Sequence, residues 1–356
     1  MALNTSGPIA LAGATAGVSI AVELGLGTTT AISLNQAAVR TLAGVPSGAI
    51  IMPTNFYGKS NAPIVTTTGI YYGGETSGGR QNTTTRINVC GALIGSVTNV
   101  GTVRDLLGGA RIGTNGVFYG GNSTGGIALN TVTRINSSGA LVGSQTNVGT
   151  ARAGVGGALI GSNGVYIGGC GGCTVRKTTI INACGALVGS EITQSVCVPR
   201  PVGAPVGSVG LYRSAYVGST FKLNSCGTFL AQFSNVGSSG YCMAASSVGT
   251  VAMFYAGYSC YCCCSCPCNP VRIYTYYNNA NRVNVCGALV GSATTVGTAR
   301  ASLAGSKVGS NALFWGGLRY CFILKNIATR INACGALVGS ETTVGTAIVA
   351  NGGASV

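Results

Sequence analysis

Few side chains here could do acid–base or nucleophilic chemistry. The 356-residue chain has no histidine, and its only carboxylates are Glu23, Glu75, Asp105, Glu191 and Glu341. Without imidazole there is no His general base, no Ser-His-Asp or Cys-His nucleophile, and no His-ligated copper, iron or zinc. A glycosidase would have to draw its carboxylate pair from those five. Glu191 and Glu341 share one Gly-Ser-Glu phrase and read as interchangeable surface positions, so a sugar-cleaving activity would rest on Glu75 or Asp105. The expectation is a protein that is not an enzyme and needs no cofactor.

Cysteine is the other reactive type. Cys260, Cys262, Cys263, Cys264, Cys266 and Cys268 put six thiols in nine residues, and Cys170 and Cys173 form a CxxC pair. Thiols at that density either hold a metal or form local disulfides in an oxidising medium. The absence of any histidine to complete a ligand set favours disulfides or mixed free thiols. Cys90, Cys184, Cys226, Cys286 and Cys334 occupy one repeated slot that Ser138 fills in another copy. That exchange predicts small buried side chains there, not obligatory disulfides.

Charge is sparse and one-sided. Twenty Lys and Arg face five Asp and Glu, so at least fifteen cations have no private carboxylate. They must meet water, backbone carbonyls or an anion on a partner, or serve only to keep the chain dispersed.

The elements that must position these groups follow from a repeat. Arg86-Ile87-Asn88-Val89-Cys90-Gly91-Ala92-Leu93 returns around Asn136, Asn182, Asn224, Asn284 and Asn332, at spacings of 48, 46, 42, 60 and 48. Those spacings are those of four-stranded propeller blades, about 40–50 residues each. With 46% hydrophobic residues and mean hydropathy +0.45 a buried core is assured. The 59 glycines punctuate short strands and lack a collagen period. In the last repeat, strands are predicted at 301–308, 312–317, 328–332 and 336–339.

The second-strand phrase recurs as Ile70–Gly74, Val117–Gly121, Val165–Gly169, Ala215–Gly218, Met253–Gly257 and Leu313–Gly317. An Arg opening each unit, an apolar or aromatic strand closed by Gly-Gly, and a second half with its own polar motif resemble the kelch repeat over nearly 300 residues. The usual Tyr and Trp of the second half are replaced by Arg-Ile-Asn-x-Cys. The resemblance implies a partner-binding module; the oxidase branch of that family needs copper-binding His that is absent here. Six copies predict six blades over 61–356. The C-terminal Gly345–Gly353 aligns with Gly297–Gly305 and is expected to complete the first blade, hiding two sheet edges. The periodic Arg86, Arg134, Arg282 and Arg330, with Arg104, Arg152 and Arg300, are expected to bond carbonyls between blades.

Turns in such blades alternate between the disc's two faces, and the loops joining second to third strands vary most. Variation on a fixed scaffold marks recognition. The candidate receptor-binding residues are Arg272, Tyr274, Tyr276 and Tyr277 in the longest loop, 258–280, with Arg176, Lys177, Arg319 and Tyr320 from its neighbours. Tyr beside Arg suits sugars, phosphates or a protein patch. No nucleic-acid motif is present.

Residues 1–60 differ in wording and predict a small α+β domain, with strands at 18–23 and 49–52 and a helix from Ser33–Asn35 through Leu42. Pro8, Glu23 and several glycines interrupt residues 7–27, which therefore read as neither membrane span nor signal peptide. Ile32-Ser33-Leu34-Asn35, Ala37–Arg40, Pro46–Ile50 and Phe56-Tyr57-Gly58-Lys59-Ser60 resemble an N-terminal segment of tail-associated virion proteins of tailed bacteriophages. The resemblance implies attachment to tail or baseplate proteins through a segment that includes Phe56, Tyr57 and Lys59. It implies a homo-oligomeric tail fibre or receptor-binding protein, assembled in the host cytoplasm and facing a host-surface glycan or protein. A structural decoration or cement protein of tail or capsid is the alternative.

Overall fold

The structure, a computed structural model, describes all residues except 1–2, 4–5, 16–17, 25–28, 30, 44, 46–48, 57–67, 170–175, 215–218, 235, 238–241, 264–270, 320–322 and 350; at 41, 260–263 and 271–273 it describes the backbone alone. The chain divides into two units, Met1–Val65 and Thr66–Val356.

In the larger unit the repeat folds as six four-stranded antiparallel sheets, the blades of a β-propeller. Strands a to d run outward in each blade. Blade 1 is Gly352–Ser355, Thr68–Tyr72, Thr83–Asn88 and Thr98–Asn99, and blade 2 is Gly108–Ile112, Asn115–Tyr119, Thr131–Ile135 and Thr146–Asn147. Blade 3 is Gly156–Ile160, Asn163–Ile167, Lys177–Ile181 and Ile192–Thr193, and blade 4 is Pro201–Val206, Val209–Ser214, Thr220–Leu223 and Phe229–Phe233. Blade 5 is Ala244–Val248, Val251–Cys263, Val271–Val283 and Thr294–Thr295, and blade 6 is Ala304–Val308, Asn311–Trp315, Ile327–Ile331 and Thr342–Thr343. The C-terminal strand closes the first blade as expected: Gly352–Ser355 pairs antiparallel with Gly69–Tyr72.

Each of the six apolar clusters of this unit lies between two neighbouring blades; one joins Tyr71 and Ile87 of blade 1 to Leu313, Trp315 and Ala328 of blade 6. A second-strand tyrosine in three blades reaches the main chain of the blade before it. Tyr71, Tyr166 and Tyr212 donate to the carbonyls of Leu313, Val117 and Val165 at 2.9, 2.8 and 2.7 Å. Buried tyrosine hydroxyls need such partners.

The arginines act across blades too. Arg104, fully buried in the linker after blade 1, donates to the carbonyls of Gly120 and Thr131 in blade 2 at 2.7 and 2.6 Å. Its guanidinium also stacks on Tyr72 of blade 1 at 5.3 Å. Arg300 repeats the bonds on Ile327 and Phe314, and Arg152 on Lys177 and Tyr166. The second set is shallower: Arg86 donates to Ser137, Arg134 to Ala183 and Arg330 to Val89, each in the following blade.

Inner strands pack so closely that a side chain is excluded at their midpoint. A Cβ at Gly109 would lie 2.3 Å from the Gly353 carbonyl oxygen, and one at Gly305 equally near that of Ala245. Contact at that distance is impossible for real atoms, which fixes glycine there.

Several expectations are corrected. The repeated cysteines are exposed, not buried. Asn88 Oδ1 accepts from the backbone amides of Cys90 and Ala92, both at 2.9 Å, and the same loop recurs at Asn136, Asn182, Asn224, Asn284 and Asn332. The thiol therefore sits at the crest of an Asn-centred turn. That turn also displaces the outer strand predicted at 336–339, which lies at Thr342–Thr343. In blade 4 the second strand is Val209–Ser214, because the turn at Gly207 sets its register against Pro201–Val206; the predicted 215–218 lie outside the described residues. Glu191 and Glu341 are part-buried cross-links, bonded by Thr150 and Thr179 and by Thr298 and Thr329.

The smaller unit has helices Ile20–Glu23 and Ala37–Ala43, a 3-10 turn Thr54–Phe56, and a core of Leu3, Ile20, Val39, Leu42, Ala43 and Phe56. No strand occurs among its described residues, so the α+β expectation fails at 18–23 and 49–52. Ser19 caps the first helix by accepting from Val22 N, and the pairing of the 18–23 segment stops at a single parallel bridge between Ala10 and Ser19.

Candidate functional site

Inner strands begin, and second strands end, on the same side of the disc. This side therefore carries all b-to-c connections together with the linkers between blades. Among the described residues its loops differ from blade to blade: a hairpin Glu75–Arg80 in blade 1, a coil at 120–130 in blade 2, and in blade 6 a pairing of Leu318–Arg319 with Ile323–Leu324. In blade 5 the expected loop 258–280 is instead a ribbon, strands Val251–Cys263 and Val271–Val283 paired out to Cys263 and Val271. A bulge at Ala256, φ +66°, breaks the register where the ribbon leaves the blade.

The ribbon sorts the predicted residues. Tyr258 stands opposite Tyr276 and two positions from Tyr274, and its ring meets theirs at 5.9 and 5.6 Å. Tyr276 is buried by that stacking and acts as its base. Tyr277 points to the other face, donating to Ser259 Oγ at 2.8 Å. Arg272 takes the register position opposite Cys262. Arg176 and Lys177 lie where blade 3's third strand starts; Arg176 donates to the Ser195 carbonyl and Lys177 to Thr193 Oγ1. Arg319 is exposed on the blade 6 hairpin. Tyr320, Tyr57 and Lys59 lie outside the described residues, as do Cys264, Cys266 and Cys268; Cys260, Cys262 and Cys263 are placed by backbone only. Phe56 is interior to the smaller unit and cannot itself touch a partner. Among the described residues no cluster of three His, Cys, Asp or Glu could hold a metal.

Glu75 and Asp105 meet on this face. Arg80 of the blade 1 hairpin pairs with Asp105 at 2.9 Å and donates to the Ser123 carbonyl of blade 2. Burial, reinforced by the nearby Glu75 charge, pushes the Asp105 carboxyl above its ordinary value against the pull of Arg80. The arrangement is a hairpin latch between two blades.

At the centre of the same face the linkers form a mouth that the sequence reading missed. Leu106, Gly154, Arg200, Cys242 and Ser302 hold equivalent positions, all with left-handed backbone, φ +44° to +66°. Gly154 N donates to Leu106 O and Ser302 N to Cys242 O, girdling the axis. Non-glycine residues in this region cost about 1–3 kcal/mol each and gather at binding sites. One position on, Leu107, Val155, Pro201, Met243 and Leu303 form an apolar ring in which the sixth place belongs to Asn351. Asn351 is 7% exposed, and neither its amide nitrogen nor its oxygen has a hydrogen-bond partner. A buried polar group in that state costs about 1–3 kcal/mol. The signal was legible: one polar residue in a slot otherwise filled by apolar ones.

Closed ring, blade order and glycine-lined axis decide the architecture. The fold is a kelch-like six-bladed β-propeller. Among solved structures it is similar to that described as "Structure of YjhT", with a TM-score of 0.56 and 12% sequence identity over 79% of this chain and 97% of that one. At that identity the likeness concerns the fold alone. No protein-family profile matches the chain, and no curated protein is significantly similar to it.

Proposed function

We propose that this chain is a virion protein of a tailed bacteriophage, a tail fibre or receptor-binding subunit whose b-to-c loop face binds the host surface. One observation carries the reading: six four-stranded blades present one face on which the described connections differ from one another, with a ribbon rising from blade 5. A scaffold held constant under variable loops is how recognition surfaces are built. The phage setting rests on the wording of residues 32–60, through which the smaller unit would join tail or baseplate proteins. Exposed Arg176 and Arg319, with the tyrosines of the ribbon, give this face the stacking area and positive charge that glycans and phosphorylated surfaces accept.

The test is adsorption of the purified full chain to bacterial cells and lipopolysaccharide. Replacing 259–275 by a two-residue turn should abolish adsorption, whereas Cys90→Ser on the opposite face should leave it intact. Adsorption unaffected by the first change overturns the reading, and absence of any adsorption favours a cement role. Sugar release lost on Glu75→Gln or Asp105→Asn would instead place the chain among glycan-cleaving spikes.

A further inference from the structure

We infer that the axial mouth is a binding site for a small hydroxy acid, separate from the surface that the loops present. The cavity there measures about 90 Å³, room for only a few heavy atoms and smaller than a drug-sized site. Its wall is apolar, built from Leu107, Val155, Met243 and Leu303. Against that wall stand two groups of different chemistry. Arg200 carries the only formal charge among the lining residues, and Asn351 has an amide with neither of its polar atoms bonded.

Those two groups define the ligand. A guanidinium is matched by a carboxylate, held through charge-assisted hydrogen bonds. An amide offers one acceptor and one donor group, so its complement must accept and donate as well, as a hydroxyl does. The short apolar wall admits only a few carbons. A carboxylate bearing a neighbouring hydroxyl satisfies all three, and a chain of net charge +15 attracts it from a distance. The other blades show that Asn351 is no structural necessity: Leu, Val, Pro and Met fill its place without loss of the ring. Below the ring the axis continues as a second small space lined by the inner-strand glycines, where Gly109 packs against Gly353 and Gly157 against Gly109.

The experiment uses the full chain with lactate as the carboxylate probe and lactamide as its neutral counterpart, followed by ligand-detected NMR and by titration calorimetry. Lactate should bind and lactamide should bind at least about tenfold more weakly, as should lactate to Arg200→Gln. Asn351→Leu should weaken lactate by a similar factor while raising the melting temperature, since it removes an unbonded polar group and matches the residue of blades 2 and 6. The inference is overturned if wild type binds no lactate, if lactamide binds equally, or if Asn351→Leu melts lower, which would show its amide bonded within the fold or to a fixed water. Because none of these readouts involves cells, failure here leaves the adsorption test untouched.

Discussion

Tyr71 in the first blade donates its hydroxyl to the main-chain carbonyl of Leu313 in the last, at 2.9 Å across 242 positions of sequence. Ser306 Oγ lies 2.7 Å from the same hydroxyl. Burial drives this phenol well above its ordinary range, so it remains a neutral donor at every accessible pH. The bond stands beside the β-pairing of Gly69–Tyr72 with Gly352–Ser355, and together they close the ring.

Ring closure should therefore dominate stability. Tyr71→Phe is expected to cost about 1 kcal/mol, the net worth of one hydrogen bond, with a fall in melting temperature. Truncation after Asn351 removes the whole inner strand and should abolish the cooperative transition seen by circular dichroism. A truncated chain that melts like the intact one would mean that the ring holds by other contacts.

Glycine at the inner-strand midpoint should be irreplaceable where the neighbouring carbonyl faces it. Gly109→Ala is expected to cost about 2 kcal/mol or more, because the new methyl meets backbone at 2.3 Å. Gly113→Ala lies at φ +60° with nothing within 4 Å, so only the left-handed strain of about 1 kcal/mol applies. Chemical denaturation of the two variants compares them directly.

Buried and shallow arginines should separate. Arg300→Met removes the guanidinium bonds to the carbonyls of Ile327 and Phe314 and to Thr329 Oγ1 and should cost about 3 kcal/mol or more. Arg86→Ala, whose bond to Ser137 is long and exposed, should cost under about 1 kcal/mol. Arg300→Lys should rescue little, since an ammonium cannot fork between two strands.

Acid should loosen the blades through Glu191 and Glu341. Burial raises the Glu341 carboxyl, but hydrogen bonds from Thr298 and Thr329 outweigh it and bring the group below its ordinary 4.5. A carboxylate depressed in the folded state stabilises above its unfolded value, and the benefit is lost as pH falls through the folded one. Gln145 fills the same slot in blade 2, accepting from Thr102 Oγ1. Glu341→Gln should therefore fold, lose under about 1 kcal/mol at neutral pH, and show a flatter acid limb in thermal melts.

Blade number and the bridging arginines could be read from the sequence because the repeat restates them, and closure because Gly345–Gly353 restates the opening of a blade. What repetition did not state was which way a residue faces. The cysteine slot looked like core because serine replaces it, yet Asn88 and its equivalents gather the loop amides and lift the thiol outward. The blade 5 loop looked irregular because its cysteines hide the alternation of Tyr258, Tyr274 and Tyr276 that the ribbon pairs. The axial mouth escaped notice because it assembles from linkers far apart in sequence, and only Asn351 breaks the pattern there. In the smaller unit, short apolar runs without repeats left strand and helix undistinguished until Ser19 capped one of them.

The most direct measurement is an electron-microscopy map of an intact particle that carries this chain. The account predicts a closed six-sector ring whose b-to-c loops, with the ribbon of residues 251–283, point away from the particle into solvent. A ring whose ribbon and Arg319 hairpin are buried against other virion proteins would contradict it.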